Sequence, residues 1–537
     1  MISKMLKKVN WIKTWYAMCF LALGIIDQRR GSASGEVQMA AANLTGVVMA
    51  GMIVPSLDKE KFKDKIYLYG AIVLGLIGIV VGIWGLQNWN YKGQWITGVL
   101  NVVIWGYLTI YIVREWKRLQ LQEKIKQPFF VMTVVMFLLM LFSAHERNVS
   151  LWLIVVFGVF YLVGVQNRYR DAFFQGMLNG IILWFFVQQI IAFGFRPYDR
   201  IRYRGLYSGE MQNGLFYMIV YCAFMLKVIS LWERKKSKAL SYSCFLLSAG
   251  CISFAVYTGS RAPIMGAGIA SIVIYVWYDI VYRRSFYRLI VHCMSFLLCV
   301  VITFPVVYGC IRYLPTILHH PIWFEGEYYE NGSVRSFDPW DSKRYITFEK
   351  AVDESLGRIL SAIGIDLKEW RKKSVSGILG IRTYAKEIGE PGDTPENPFT
   401  LPGVDLHSAM GARKVIYVYY WNHLNWRGHS GAEQGFFLTE ESYMVHAHNM
   451  FLQIAYDYGI LVGLLFIGVY FGKLFQTLRA GKDNMLEAMI CVAFLLAILG
   501  FGFFEMVVVP GQITVVLTGI IFCMTGGKMA EVSGNNR

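Results

Sequence analysis

The sequence predicts an all-α polytopic membrane protein, built as a helical bundle with a large extracytoplasmic loop. Of the 537 residues, 55% are hydrophobic and only 16% are charged, whereas soluble domains carry about 25% charged residues. Apolar runs of about 17–22 residues recur along the chain, and each is long enough to cross a bilayer core of about 30 Å as a helix. Because lipid offers the backbone no hydrogen-bond partners, the spans are expected to be helices.

About fourteen membrane spans are predicted, in four regions. Residues 1–175 hold the N-terminal transmembrane helices, and 176–310 hold helices joined by Arg-bearing outer loops. Residues 311–447 form one large extracytoplasmic loop, and 448–537 hold the C-terminal helices. The predicted spans are 11–26, 39–57, 66–86, 95–113, 128–144, 149–165, 176–195, 213–232, 239–259, 264–282, 289–310, 449–471, 485–505 and 512–527.

The distribution of basic residues predicts the orientation. With the N-terminus inside, the cytoplasmic segments carry more than half of the 52 Lys and Arg residues, as the positive-inside rule requires. Both termini are therefore predicted to be cytoplasmic, with the protein in the cell (inner) membrane. The net charge of +16 follows mostly from this topology and needs no nucleic acid to explain it. The nine cysteines occur singly, in or at the ends of spans, so no disulfide framework is expected.

Residues 338–364 of the large loop are predicted to be helical in part, because apolar residues recur there at roughly helical spacing, and 411–424 is predicted to be a second helical or mixed stretch. Between them, the segment EIGEPGDTPENPFTLPG is rich in Pro and Gly and predicts an irregular surface segment. The loop is therefore interpreted as a small cap on the bundle.

The outer segment RPYDRIRYRGLYSG contains four arginines, on the side where short loops normally lack them. They are Arg196, Arg200, Arg202 and Arg204. Arg196 is interpreted as a span-end residue that snorkels towards water. Alternate arginines cannot all snorkel along one helix, and Asp199 can neutralise only one of them. An anion at the outer face would explain them, and a phosphorylated lipid is favoured because the guanidinium binds phosphate through two hydrogen bonds.

Two further segments carry candidate chemistry. TGSRAPIMGAG places Arg261 in a tight outer turn, and VHAHNMFLQIAYDYGILVG places His446 and His448 at the mouth of the twelfth span. Sugar transfer from a lipid phosphate builds negative charge on the leaving group, which preorganised arginines stabilise. Histidine suits the role of base towards an acceptor hydroxyl, although an interfacial histidine is more often structural. Gly459 and Gly463, four residues apart, are expected to lie on one helix face and to admit a neighbouring helix.

These segments resemble the O-antigen ligase and O-antigen polymerase superfamily. The histidine motif is matched in order by His448, Asn449, Leu452, Gln453, Gly459 and Gly463. The arginine motifs are matched by Arg204, Gly205 and Asn213, and by Ser260 and Arg261. A looser match to the arginine helix and glycine turn before the histidine involves Arg413 and Gly428. The matches span residues 196–471.

The resemblance implies a GT-C-type membrane glycosyltransferase that moves glycan from undecaprenyl pyrophosphate at the outer face, with no metal and no cofactor. Carried over, Arg204 and Arg261 would bind the pyrophosphate and His448 would activate the acceptor, as the catalytic residues. The substrate-binding candidates are Arg200, Arg202, Arg413, Asn449 and His446. Since His446 stands beside the motif, the choice between the two histidines stays open. No metal site is expected, because no H-E-x-x-H spacing occurs.

The expected function is polymerisation of surface polysaccharide repeat units. The expected partners are an undecaprenyl-pyrophosphate-linked glycan donor, a glycan or lipid-linked acceptor and membrane lipid, with a flippase and a chain-length regulator as further candidates. The first alternative is a ligase that attaches polymer to lipid A-core or another acceptor. The second is a flippase or transporter of the lipid-linked oligosaccharide, which predicts charged residues inside spans and repeated halves; Lys227 is the one clear basic residue deep in a predicted span. A GT-C enzyme that uses a monophosphate-linked sugar ranks lower, because Asp27 and Glu36 do not form an acidic pair.

Overall fold

The computed structural model describes residues 10–30, 35–117, 119, 125–145, 147–198, 202–318, 329–330, 333–334, 345–361, 409–430, 435–439, 442–444, 446–481, 484–507 and 512–524. The α-helices are α1 (Trp11–Arg30), α2 (Gly35–Ile53), α3 (Lys65–Asn88), α4 (Lys92–Arg114), α5 (Pro128–Leu141), α6 (Arg147–Val163), α7 (Arg170–Phe195), α8 (Glu210–Glu233), α9 (Lys238–Tyr257), α10 (Arg261–Tyr275), α11 (Phe286–Leu318), α12 (Phe348–Ser361), α13 (Ala409–Asn422), α14 (Met450–Tyr458), α15 (Ile460–Ala480), α16 (Met485–Gly502) and α17 (Ile513–Met524). A π-helix, Val276–Tyr282, continues α10, and short 3₁₀ turns cover Val54–Ser56, Lys59–Lys63 and Asn167–Tyr169. The strands are β1 (Tyr329–Glu330), β2 (Ser333–Val334), β3 (Phe436–Thr439) and β4 (Ser442–Met444).

The predicted helical class is confirmed, since 10 of the helical segments that the structure describes are long and apolar enough to cross a membrane. Three shorter apolar helices, α5, α17 and the Ser150–Val163 part of α6, accompany them. The chain is thus consistent with a multi-pass membrane protein. Each predicted span overlaps a described helix, and the count of fourteen membrane crossings stays a prediction.

The centre of the bundle is formed by α8 and α16, whose side chains are almost all buried. Helix α8 packs against α7, α9 and α10, and α10 packs closely against α16. Two glycines permit that contact: a Cβ at Gly266 would lie 2.5 Å from the Ala497 carbonyl oxygen, and one at Gly500 would lie 2.8 Å from the Gly266 Cα. Small residues at a helix crossing let the backbones approach, so these two helices hold their ends in a fixed relation.

One end of the bundle gathers the segments 196–198, 202–209, 258–260 and 503–507, and we call it the loop end. The Tyr203 amide donates to the Tyr257 carbonyl over 2.9 Å, and Gln28 Nε2 donates to the Leu206 carbonyl over 3.0 Å. The buried Asp27 carboxylate accepts from the Ile513 amide over 3.0 Å. The loop end corresponds to the predicted outer face.

The twelfth predicted span, 449–471, is not one helix, and this prediction is wrong. Gly459 has φ +102° and ψ 155°, a backbone conformation that is essentially restricted to glycine, so the chain turns between α14 and α15. Gly463 faces the preceding helix, because a Cβ there would lie 2.5 Å from the Ala455 Cβ. The two glycines therefore fold α14 back onto α15 instead of admitting a separate helix.

Helix α15 also continues beyond the predicted span, to Ala480. Lys473, predicted to lie in a cytoplasmic segment, is instead buried within this helix. Lys227 is therefore not the only lysine deep in a helix of the described bundle.

The described parts of the large loop confirm its two helical stretches. Helix α12 lies within the predicted 338–364, and α13 covers the predicted 411–424 apart from its last two residues. The sequence predicted no strands, whereas the structure has two short antiparallel hairpins, β1–β2 and β3–β4. The Pro- and Gly-rich segment between the helical stretches lies outside the described residues.

Candidate functional site

His448 lies at the start of α14, at the loop end. Asn449 is the N-cap of that helix, and its side-chain oxygen accepts from the amides of Phe451 and Leu452 over 3.0 and 3.1 Å. His448 itself has φ +48°, a left-handed conformation that is uncommon for a residue with a Cβ and that clusters at functional sites. The backbone therefore fixes the direction in which the imidazole leaves the chain.

Glu505 is the closest polar partner of the His448 ring. The distance from His448 Nδ1 to Glu505 Oε2 is 2.9 Å. Because a carboxylate only accepts, Nδ1 carries the hydrogen of a neutral ring and Nε2 keeps its lone pair. The His448 side chain retains 31% of its surface exposed, against 11% for Glu505, so an accessible imidazole nitrogen is combined with a nearly buried carboxylate, an arrangement that can serve proton transfer.

Arg413 completes this cluster from the large loop. Its Nη2 lies 3.3 Å from Glu505 Oε1, and its guanidinium lies over the Phe504 ring. The predicted substrate-binding residues Arg413 and Asn449 are thus brought together with His448. In the structure Arg413 is an ion-pair partner of Glu505.

The backbone carbonyls of His448 and Phe503 accept hydrogen bonds from side chains of α13 and of the residue that caps α14. The Tyr417 hydroxyl of α13 lies 3.2 Å from the carbonyl oxygens of both His448 and Phe503, and Asn449 Nδ2 donates to the Phe503 carbonyl over 3.3 Å. On the other side, the Ala447 amide donates to Gln453 Oε1 over 2.6 Å. These bonds join α13, α14 and the end of α16 around one residue.

His446 is exposed and lies outside this hydrogen-bonded group. The pKa of His446 lies below its ordinary value, because the adjoining protein removes part of its hydration and because His448 lies nearby, while Glu505 acts in the opposite direction. A second loop histidine, His429, is held structurally: its Nδ1 lies 2.9 Å from the Tyr456 carbonyl and its ring stacks on that of Tyr456.

Two arginines of the outer segment that begins at Arg196 form a second group, with Glu210 as a shared partner. Arg204 Nε donates to Glu210 Oε1 over 3.0 Å, and Arg202 Nη1 lies 3.9 Å from Glu210 Oε2. Arg202 also donates to the Thr258 carbonyl and to Ser260 Oγ, each over 2.9 Å. Arg202 therefore links, by hydrogen bonds, the segment that contains Arg204 to the turn that precedes Arg261. Arg200 lies outside the described residues.

The interpretation of Arg196 as a snorkelling residue is wrong. Its surface is only 7% exposed, and its Nε donates to the Gly205 carbonyl over 3.1 Å. The side chain turns inwards because Gly205, at φ +56°, closes a turn beneath it. Arg196 is thus a structural residue of the loop end.

Arg261 is the first residue of α10, directly after Ser260. The guanidinium is partly buried and has no ion-pair partner among the described residues. Helices α10 and α16 cross at Gly266 and Gly500. Arg261 lies five residues from Gly266, and Glu505 lies five residues from Gly500, both in the direction of the loop end. Five residues correspond to an axial rise of about 7 Å in a helix. The two helices therefore carry the arginine group and the His448 group at the same end of the bundle.

A loop of the cap crosses the break between α14 and α15. A Cβ at Gly428, which has φ +74°, would lie 2.1 Å from the Asp457 carbonyl oxygen, and one at Gly459 would lie 2.3 Å from that of Trp426. The Ile460 amide donates to the Asn425 carbonyl over 3.0 Å. Gly428 and Gly459 are thus needed because two backbones meet there.

Glu505 and Glu210 are the functional candidates that the sequence reasoning missed. Glu505 lies three residues beyond α16 and ends the apolar run 488–504, and a carboxylate at the end of such a run is a signal for a functional role. Glu210 follows Arg204 by six residues across an irregular turn, and no periodic pattern relates them. No group of His, Cys, Asp and Glu that could hold a metal ion occurs within the described ranges.

The fold is that of a helical bundle consistent with a multi-pass membrane protein, and it carries a histidine–carboxylate pair and an arginine group at one end. The chain matches no protein-family model and no curated protein. The resemblance of its motifs to the O-antigen ligase and polymerase superfamily therefore rests on the residues themselves.

Proposed function

We propose that the protein is a metal-independent membrane glycosyltransferase that polymerises surface polysaccharide from glycan units linked to undecaprenyl pyrophosphate, at the outer face of the cell membrane. The observation that carries the proposal is the 2.9 Å contact between His448 Nδ1 and Glu505. This contact leaves Nε2 as a base for an acceptor hydroxyl, and a positioned base contributes about 10²–10⁴-fold to a rate.

The arginine group supplies the other half of the reaction. As the glycosidic bond to the pyrophosphate breaks, negative charge grows on the leaving oxygen, and Arg261 and Arg204 would stabilise that charge. Arg261 is the better placed of the two, because Arg204 already pairs with Glu210. Arg202 keeps the two arginines together through its bonds to Thr258 and Ser260.

The test is transfer by the purified protein in vesicles that contain a lipid-linked oligosaccharide. A ladder of extended products on the same lipid supports polymerisation, whereas transfer to an added lipid A-core acceptor alone supports ligation. Activity is expected to survive excess EDTA. The absence of any transferred product, with folded protein and intact donor lipid, would falsify the proposal.

A transporter of the lipid-linked oligosaccharide is the second candidate, and one observation favours it. Two lysines, Lys227 and Lys473, lie inside helices of the bundle, as translocation pathways often require. Movement of a labelled donor lipid between the two leaflets, with no new glycosidic bond, would support this candidate over the first.

A further inference from the structure

A cavity of about 390 Å³ lies between α5, α6, α14, α15 and α17. Its walls are almost entirely apolar, and Met450 and the rings of Phe157 and Phe466 are among the lining residues. Lys473 is the one lysine or arginine among its lining residues. The cavity is therefore shaped and lined for a hydrocarbon chain rather than for a sugar.

Lys473 is 3% exposed, and its Nζ has no hydrogen-bond partner among the described residues. Its nearest compensation is the Phe129 ring, whose centroid lies 5.2 Å from Nζ. A cation–π contact offsets only part of the cost of burying an ammonium group. One turn further along α15, Gln476 Oε1 is also buried without a partner. Of these two unpaired polar groups, the Lys473 ammonium is the one that lines the apolar cavity.

The dimensions fit one leaflet of a bilayer. Val462 and Lys473 both line the cavity and are eleven residues apart on α15, a rise of about 16 Å. Half of a hydrocarbon core of about 30 Å has nearly this length. Since α15 runs away from the loop end, Lys473 lies towards the opposite end of the bundle from His448.

We propose that this cavity binds one acyl chain of an anionic membrane amphiphile, with its phosphate or carboxylate head group paired with Lys473. The head group would complete the hydrogen bonds of the ammonium, and the chain would fill the space along α15. The chain would also contact Met450 and Ile454 of α14, the helix that His448 precedes. This inference does not depend on the proposed glycan transfer, because the head group lies away from the histidine and arginine groups.

The test uses the full-length protein in vesicles with photoactivatable lipids. Three probes carry the same diazirine-bearing acyl chain: a free fatty acid, phosphatidylglycerol and phosphatidylcholine. After illumination, adducts on peptides that contain Phe157 or Phe466 are quantified by mass spectrometry. At least one anionic probe should label these peptides well above phosphatidylcholine, and the stronger of the two identifies the head group as carboxylate or phosphate.

Two variants separate the head group from the chain. Lys473→Met keeps the bulk but removes the charge, and it should lower anionic labelling about tenfold to a hundredfold, to the level of phosphatidylcholine. Gly158→Leu should block labelling by all three probes, because a Cβ at Gly158 meets nothing within 4 Å and the larger side chain fills the cavity without a clash. Lys473→Arg, which keeps the charge, should retain the preference for anions.

The chain offers matched controls. Lys227→Met removes a half-buried lysine that is already bonded to Asn179, and Gly268→Leu enlarges a helical glycine that also meets nothing within 4 Å; neither should change labelling. If Lys473→Met labels like the wild type, or if phosphatidylcholine labels as well as the anionic probes, the head-group assignment is overturned. Unchanged labelling in Gly158→Leu would mean that the adducts arise from bulk lipid, which overturns the site.

Discussion

Glu505 holds His448 through a 2.9 Å contact to Nδ1, and the same carboxylate is held by Arg413 over 3.3 Å. The imidazole of His448 is thereby oriented by Glu505, which lies just beyond α16. Glu505 is itself oriented by Arg413 of the cap. This chain of contacts gives Glu505 the role of a positioning residue, whose effect should differ from that of a residue that merely supports the fold.

Glu505→Gln should lower glycan transfer by about 10²–10⁴-fold, because an amide can donate to Nδ1 and so favour the tautomer that lacks a basic Nε2. The effect should fall on turnover rather than on donor binding. The matched control is Glu487→Gln, which removes a carboxylate paired with Arg170 in the first turn of the same helix. Equal loss of turnover in both variants would indicate a general packing effect.

His448→Asn should nearly abolish transfer while the protein remains folded and binds donor lipid. Asparagine tolerates the left-handed backbone of this position better than alanine does, so a loss of activity reports on the imidazole. His448→Ala should show the same loss, and His446→Ala a milder one. If His446→Ala is the variant that loses transfer, the base lies two residues upstream.

His446 should make the protein less stable at acidic pH. Its pKa in the folded protein is below the ordinary value of 6.5, so the unfolded chain binds a proton first as the pH falls, and stability is lost as the pH drops through the region of 6.5. Melting temperatures at about pH 7.5 and pH 5.5 should therefore differ less in His446→Gln than in the wild type. His423→Gln, another exposed loop histidine, serves as the control, and an equal pH dependence in wild type and His446→Gln would contradict the prediction.

The arginines should separate into two classes. Arg261→Ala should cut transfer by about 10²–10³-fold with little change in melting temperature, and Arg261→Lys should recover only part, because the ammonium lacks the planar fork. Arg196→Ala should instead lower the free energy of unfolding by about 1–3 kcal/mol, because the buried Gly205 carbonyl loses its donor. Similar mild effects of both variants on both measurements would point to a diffuse basic surface.

Gly459→Ala should destabilise the protein by at least about 1–3 kcal/mol, the cost of forcing a side chain into this backbone region, with the contact to the Trp426 carbonyl added. Gly268→Ala is the control, since its Cβ meets nothing within 4 Å and alanine favours the helix. Thermal unfolding of both variants measures the difference, and equal melting temperatures would show that the turn at Gly459 is not required.

The predicted orientation is open to cysteine labelling in intact cells, on a background without native cysteines. A membrane-impermeant reagent should reach Asn422→Cys, at the end of α13, and should not reach Lys236→Cys, between α8 and α9; both positions are exposed. The same labelling should reach a cysteine placed at Gly392. Modification of Lys236→Cys before lysis would invert the topology and remove the outer-face site with it.

The helices were predictable because long apolar runs have a single solution in lipid, and the segments around His448 and Arg261 were predictable because their chemistry is unusual for an outer loop. The break at Gly459 was not predictable, because a glycine in an apolar run is equally compatible with a continuous helix in which it lets a neighbouring helix approach. The structural roles of Arg196 and Arg202 were not predictable, because both donate to backbone carbonyls, which no side-chain pattern indicates. Glu505 was missed because its partners, His448 and Arg413, are 57 and 92 residues away in the chain.

The Tyr417 hydroxyl faces the carbonyl oxygens of His448 and Phe503 at the same distance, 3.2 Å. A hydroxyl has one hydrogen, so it can be donated to only one of these carbonyls at a time. The Phe503 carbonyl has a second donor in Asn449, over 3.3 Å. Rotation of one O–H bond therefore makes or breaks the hydrogen bond between α13 and the His448 backbone, and under the proposed function a sugar hydroxyl that competes for this hydrogen would weaken that bond.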